Sequence, residues 1–411
     1  MQNRILRVFL KAPVLTRSGY GEHARFVARS LRSRPDLFEV YIYPTNWGQT
    51  GWISGDSEER NWLDERIKAS AKLTEESQPF DVSIQVTIPN EWERIAQVNI
   101  GVTAGIETDK VSPVWLEKAN MMDKVVTISE HSRKGFLETI YEGVNKQTRE
   151  PMTLGCTVPI DVVNYPVKTY ETLPELDLNL SQDFNYLLVA QWGHRKNLVN
   201  TVRWFIEENI DQEVGLVIKS FVKNGSISDR EVTSGLIKGI ANQYADRKCK
   251  ITLIHGDMTD EEMHSLYNHP KIKVLLSLTH GEGYGLPLFE AAYSGLPIIA
   301  PGWSGQCDFL YKENNKGVKV PHFAEVDYDL GKVSAESHWK GVIEEDASWC
   351  YPREGSYKLQ VRNVRKQYSK WLKKATNLQT WIVENFEESY MMSQFITTLI
   401  GEAPVSPQSE K

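Results

Sequence analysis

Twice along the chain, short β-branched or apolar runs alternate with longer stretches of helical period. That doubled alternation restricts the fold to α/β architecture with largely parallel sheets. The first series is ILRVFLKA, a turn followed by EHARFVARSLRSR, then FEVYIYP, DVSIQVTI, VNIGVTAG and KVVTISE. The pattern restarts at NYLLVAQW, residues 185–192, and continues through VGLVIKS, CKITLIHG, IKVLLSL, LPIIAPG and GVKVPH. Between the two series, YPVKTYETLPELDLNLSQDF has two prolines, many polar residues and no apolar period, which suits a linker. A first α/β domain is therefore expected over 1–165, a linker over 166–183 and a second α/β domain from 184 to 375. Two domains also agree with the length: 411 residues exceed what one hydrophobic core of about 250 to 300 residues accommodates.

Composition narrows the classes. Hydrophobic residues make up 41% and charged residues 25%, a balance that can bury a core and that disordered chains lack. No apolar run approaches the roughly 18 residues that span a bilayer, and MQNRILRVFLKAPVL reads as a buried first strand. Cys156, Cys249, Cys307 and Cys350 are spaced too widely for a zinc site or a small disulfide scaffold, so reduced thiols and a cytoplasmic location are expected. The net charge of −7 excludes a global basic field, though not a local one. Beyond Tyr351 and Pro352 the chain is almost continuously helical in period, with a frayed tail over 401–411. Arg362, Arg365, Lys366, Lys370, Lys373 and Lys374 make the 353–374 part basic. That run reads as a solvated helix face or as a grip on an anionic polymer such as DNA.

The chemistry concentrates in THGEGYGLPLFEAAYSGLPIIAPGWSG, residues 279–305. A strand leads through Gly281, Gly283 and Gly285 into a helix near Pro287. Glycines let backbone N–H groups approach an anion, and a helix start adds partial positive charge, so a diphosphate is expected over Gly283, Tyr284, Gly285 and Leu286. Glu282 and Glu290 bracket this loop, one before the turn and one inside the helix. Carboxylates accept hydroxyl hydrogen bonds, which would place a sugar on one side of the diphosphate and a ribose on the other.

EGYGLPLFE resembles the E-x7-E motif of retaining GT-B glycosyltransferases, in particular glycosyltransferase family 4, and AAYSGLPIIA resembles the helix end, G-x-P turn and next strand of that family. The resemblance implies a GT-B fold: two Rossmann-like α/β domains facing each other across a cleft, with the helix over 376–400 returning to the N-terminal domain. It places Glu290 on the nucleotide ribose and Glu282 beside the donor sugar. LLVAQWGHRKNL, 187–198, is similar to the family's diphosphate-binding strand and loop, which puts Arg195 or Lys196 on the phosphates. Lys219, at a strand C-terminus in VGLVIKS, is a further cation.

In the first half, Ser18, Gly19, Tyr20 and Gly21 resemble the family's glycine loop, which makes Gly19 and Gly21 donor-side positions. GVTAGIETDKVSPVW resembles a W-E-T-D segment followed by Pro and Trp, placing Glu107 and Asp109 on the acceptor side. The donor-sugar histidine that many members carry near this place is missing from GVTAGIETD. His255 and Met258, in His255-Gly256-Asp257-Met258, resemble a loop bordering the nucleotide base, and His255 reads equally as structural. Asp327-Tyr328-Asp329 imitates a D-x-D metal site but lies downstream of the glutamate motif, where a loop is expected, and no metal ligand is assigned. His131 reads as part of a helix start, while Trp47 and Trp52 suit either packing or stacking on a sugar or base.

The expected activity is transfer of a sugar from a UDP- or GDP-linked donor to a glycan, small glycoside or modified DNA base. It requires no cofactor and no divalent metal. A nucleotide-sugar epimerase of the same fold and a non-catalytic nucleotide-sugar or carbohydrate-binding protein are the alternatives.

Overall fold

In the computed structural model, which describes residues 4–73, 78–144 and 149–401, the apolar runs become two six-stranded parallel sheets. The first contains β1 (Leu6–Ala12), β2 (Phe38–Pro44), β3 (Val82–Val86), β4 (Val98–Thr103), β5 (Lys124–Thr127) and β6 (Ile160–Val162), in the order β2-β1-β3-β4-β5-β6. The second contains β7 (Asn185–Val189), β8 (Gly215–Lys219), β9 (Lys250–Ile254), β10 (Ile272–Leu276), β11 (Ile298–Pro301) and β12 (Ala324–Val326), in the order β9-β8-β7-β10-β11-β12. The strand order changes direction between β1 and β3 in one sheet and between β7 and β10 in the other. In open α/β sheets ligands bind beyond the strand C-termini at such a switch.

Both sheets are covered on two faces, so β3 and β8 are buried at every position, which is why their sequences read as continuous apolar runs. Six helices matter below: α1 (Gly19–Arg32), α2 (Leu198–Glu208), α3 (Leu286–Tyr293), α4 (Glu354–Lys366), α5 (Tyr368–Asn385) and α6 (Glu388–Ile400). The first core gathers Val8, Leu10, Phe26, Ile84, Val102 and Trp115. The second gathers Tyr186, Leu188, Phe205, Ile218, Val274 and Tyr357. Its two buried phenols find backbone acceptors, Tyr186 at the Val361 carbonyl (2.9 Å) and Tyr357 at that of Thr201 (3.3 Å).

The chain divides into two units. The first comprises Met1–Pro166, His338–Ala347 and the segment from Glu388 on, and the second comprises Val167–Ser337 with Ser348–Glu387. The stretch expected as a linker is grouped with the second unit, as are residues 376–387. There α5 buries Leu378 and Ile382, and Gln379 donates to the Tyr293 carbonyl of α3 at 3.0 Å. The return to the first unit belongs to α6, which buries Met391, Phe395 and Ile396. Its Glu388 lies 2.9 Å from Arg29 of α1.

Two local expectations change. GVKVPH does not continue the second sheet: Lys319–Pro321 pairs antiparallel with Tyr311–Glu313, and the sixth strand is β12, whose Ala324 and Val326 are fully buried. Asp327-Tyr328-Asp329 is not a loop, because Tyr328–Lys332 pairs antiparallel with Ser348–Pro352. Beyond residue 401 the expected frayed tail lies outside the described residues.

Candidate functional site

The loops after β7 and β10 meet at the switch point of the second sheet. After β7, a 3-10 turn at His194–Lys196 ends at Asn197 in the left-handed region (φ 53°), and α2 begins. After β10, the chain passes Thr279, His280 and Gly281, then turns at Gly285 (φ 97°) into α3. Gly285 needs its glycine for that conformation.

Glu282 joins the two loops. Its Oε2 accepts from Arg195 at 3.0 Å and its Oε1 from Lys196 at 2.5 Å, while Arg195 also donates to the Gly281 carbonyl at 2.8 Å. Burial pushes the Glu282 carboxyl up, but Lys196 and Arg195 beside it outweigh burial and hold it down at about 2. Two cations thus share one carboxylate near the start of α3, where the helix dipole is positive. A small crevice here is lined by Ala190, Lys196, Ser277, Glu282, Gly285 and Leu288.

The 302–306 turn supports this corner from behind. Glu282 N–H donates to Ser304 Oγ (2.9 Å), Ser304 Oγ donates to Gln306 Oε1 (2.9 Å), and Gly305 N–H donates to the Glu282 carbonyl (2.9 Å). Ser304 adopts φ 72°, which is uncommon for a side-chain-bearing residue. A Cβ on Gly305 would lie 2.1 Å from the Gly283 carbonyl oxygen. His280 is a further member: its N–H donates to the Arg195 carbonyl (2.8 Å), its Nδ1 is 2.6 Å from the Cys350 carbonyl, and its ring stacks on Trp349 at 4.8 Å. A carbonyl only accepts, so Nδ1 carries the proton. His280, Ser304 and Gly305 all stand inside 279–305, and their proximity to the glutamate motif was the available signal.

The remaining predicted positions of the second unit engage other partners. Tyr284 turns its ring to the core, 5.3 Å from Phe289 and 4.9 Å from Phe309. Glu290 Oε2 accepts from Tyr267 at 2.8 Å. Lys219, nearly buried, donates to the Gly256 carbonyl, and burial lowers its ammonium against the opposing pull of Asp257 and Glu262. His255 engages Asp229 through Nε2 at 2.9 Å, and Asp229 also accepts from Lys223 N–H at 2.9 Å, so this histidine anchors the loop. Met258, half-buried, follows it. Asp329 is paired with Arg353.

The first unit builds a different corner. Ser18 caps α1 by accepting from Gly21 N–H at 3.0 Å. A Cβ on Gly21 would lie 1.9 Å from the Thr16 carbonyl oxygen, whereas one on Gly19 meets nothing within 4 Å. Tyr20 shares a hydrogen bond with Thr103 Oγ1 (2.8 Å) and packs on Trp47 at 4.3 Å. Trp52 is half-exposed. Glu107 and Asp109 follow β4, half-buried and exposed respectively. His131 lies in the first turn of Glu130–Glu138, a helix capped by Ser129. Burial lowers its imidazole to about 4.

No family model and no curated protein sequence matches the chain. Solved structures match it nearly end to end. HepE from Anabaena, in complex with UDP and glucose, is 11% identical with a TM-score of 0.57, covering 97% of this chain and 100% of that one. Sucrose-phosphate synthase from Thermosynechococcus elongatus is 14% identical with a TM-score of 0.61, covering 96% and 98%. A trehalose-6-phosphate structure from E. coli, bound with UDP-2-fluoro glucose, is 9% identical with a TM-score of 0.58, covering 97% and 100%. At these identities the likeness shows the fold, which is GT-B.

Proposed function

We propose that the chain is a retaining glycosyltransferase that moves a sugar from a nucleoside diphosphate sugar to an acceptor. The observation that carries this reading is the clamp at the second switch point, where Glu282 holds Arg195 and Lys196 beside the glycine turn that opens α3. A diphosphate on that corner meets fixed cations and a helix start together. In a front-face reaction, the bond from the anomeric carbon to the diphosphate oxygen breaks and the bond to the acceptor oxygen forms on the same side. The acceptor's proton passes to the departing oxygen, so no protein nucleophile is required. Arg195 and Lys196 stabilise the charge that grows on the leaving group, with Lys219 as a further cation. Glu290 takes the ribose, Glu282 lies by the donor sugar, and Gly19, Gly21, Met258, Glu107 and Asp109 keep their expected donor-side and acceptor-side roles.

Because fixed cations supply the charge, the reaction is proposed to need neither cofactor nor divalent metal. Activity should therefore survive EDTA, and a loss reversed by magnesium would overturn that part. UDP-linked donors come first, since the HepE structure holds UDP and glucose; GDP-linked donors come second. The acceptor is a glycan, a small glycoside or a modified DNA base. For DNA, part of the basic 353–374 face is already engaged: Arg362 pairs with Glu208 at 2.8 Å and Lys358 with Glu207 at 2.6 Å. Among the described residues no helix is long and apolar enough to cross a membrane, and a cytoplasmic enzyme is proposed.

The test is a panel of UDP- and GDP-sugars incubated with candidate acceptors, with products read by mass spectrometry. Release of the nucleoside diphosphate with a sugar-bearing product is the expected outcome. Conversion of the donor alone into an isomeric nucleotide sugar would make the chain an epimerase. Binding without turnover would make it a binding protein.

A further inference from the structure

Glu290 is held at both its side chain and its backbone. Its Oε2 accepts from the Tyr267 hydroxyl at 2.8 Å, and its backbone carbonyl accepts from Ser294 Oγ at 2.7 Å. Ser294 Oγ lies in turn 3.2 Å from His264 Nδ1. Tyr267 and His264 both belong to Asp260–Tyr267, a helix that starts with a reciprocal Thr259 and Glu262 capping box. One short, firmly started helix therefore reaches the Glu290 turn of α3 twice.

Tyr267 is almost completely buried, and burial first, then the Glu290 carboxylate, raises its phenol well above the ordinary value. It remains a hydroxyl donor under any ordinary condition. A buried phenol requires a partner, and a backbone carbonyl would serve, as it does for Tyr186 and Tyr357. Here the partner is the one carboxylate of α3. A carboxylate offers about four acceptor positions, so one bond from Tyr267 stops its rotation and leaves it able to receive further hydroxyls. An unpinned glutamate would lose rotamer freedom on engaging a ligand, a cost that pre-ordering removes.

We infer that Tyr267 is a positioning residue: its phenol fixes the Glu290 carboxylate in the orientation that receives the ribose hydroxyls of the donor nucleotide. The inference rests on the reading of Glu290 as the ribose-binding group, and the experiment separates the two. Affinities of UDP and GDP, and of their 2′,3′-dideoxy counterparts, are measured by calorimetry for wild type, Tyr267→Phe, Glu290→Gln and the double variant.

Tyr267→Phe should weaken the ribonucleotides about three- to tenfold and leave the dideoxy forms unchanged. The double variant should bind no more weakly than Glu290→Gln alone. A loss that is equal for both sugar types, or no loss, with Glu290→Gln still affecting only ribonucleotides, overturns the positioning role and keeps the ribose reading. If Glu290→Gln binds ribonucleotides as wild type does, both fall. Should Tyr267→Phe fail to fold, Glu290→Asp carries the same test, because it keeps the charge and withdraws it from the phenol. Wild-type ribonucleotide affinity in Glu290→Asp would overturn the inference.

Discussion

The two glycine corners of this protein share a plan and differ in electrostatics. Each follows a parallel strand and opens a helix, and at each a glycine Cβ would collide with a backbone carbonyl: Gly21 with that of Thr16, and Gly305, in the turn behind α3, with that of Gly283. Around the corner of α3 stand Glu282, Arg195 and Lys196. Around that of α1 the close neighbours include Tyr20, Thr103 and the buried His23, whose ring nitrogens have no hydrogen-bond partner. The same backbone solution therefore serves two cations sharing one carboxylate in one unit and, in the other, a corner whose cation, Arg25, donates to the Thr16 carbonyl (2.9 Å) and is paired with Glu22 (3.0 Å). Backbone shape alone does not make an anion site; the side chains that the sheet order brings alongside do.

The largest expected effect tests that contrast through activity. Lys196→Ala should lower kcat in the transfer assay about 10² to 10³-fold, the range for removing one preorganised group from a developing oxyanion. Ser18→Ala, which removes only the cap of α1, should cost about 1 kcal/mol of stability. Comparable kcat losses from the two variants would break the comparison. Next come the steric positions. Gly21→Ala and Gly305→Ala should each destabilise the fold by about 1 to 3 kcal/mol or more in denaturant titrations, while Gly19→Ala, facing open space, should not. Loss at only one corner would show that the shared backbone plan is not equally demanding.

A further test separates the corners by pH. Burial holds His23 at about 3, below the ordinary 6.5, so the unfolded chain takes up that proton first. Stability is therefore lost as pH falls from about 6.5 toward 3, by up to about 1.4 kcal/mol per pH unit. The Glu282 carboxyl is held at about 2 against an ordinary 4.5, so its contribution is present above 4.5 and lost as pH falls toward 2. His131, His264 and His280 are displaced in the same direction as His23, so the discriminating quantity is the change caused by each variant. His23→Phe should flatten the stability profile from pH 6.5 downward, and Glu282→Gln only below 4.5. Identical windows for the two would contradict the contrast. The smallest effect is expected outside both corners: Arg353→Ala removes an exposed partner of Asp329 and should leave the melting temperature unchanged.

Much of this was legible in the chain before any tertiary contact. Periodicity placed ten of the twelve sheet strands; it missed β6, only three residues long, and β12, which was obscured by the neighbouring GVKVPH. The turn at Gly285 was legible because a left-handed residue before Leu286 and Pro287 needs glycine. Tyr284 and His255 show the converse. Tyr284 stands inside the motif, yet its ring packs with Phe289 and Phe309, and His255 follows a strand as a ligand contact would, yet it meets Asp229. Where a side chain points depends on which neighbour is packed beside it, and Phe309 and Asp229 lie 25 and 26 positions from Tyr284 and His255.

Local sequence determined the alternation of strands and helices, the glycine turns and the presence of two carboxylates flanking one of them, because each depends on backbone conformations and periods set within a few residues. The pairing of Glu282 with Arg195 and Lys196 spans 87 and 86 positions. The link from Glu290 to Tyr267 spans 23. Only the tertiary structure decided these contacts, because β7 and β10 become neighbours through a strand order selected by the packing of the whole sheet.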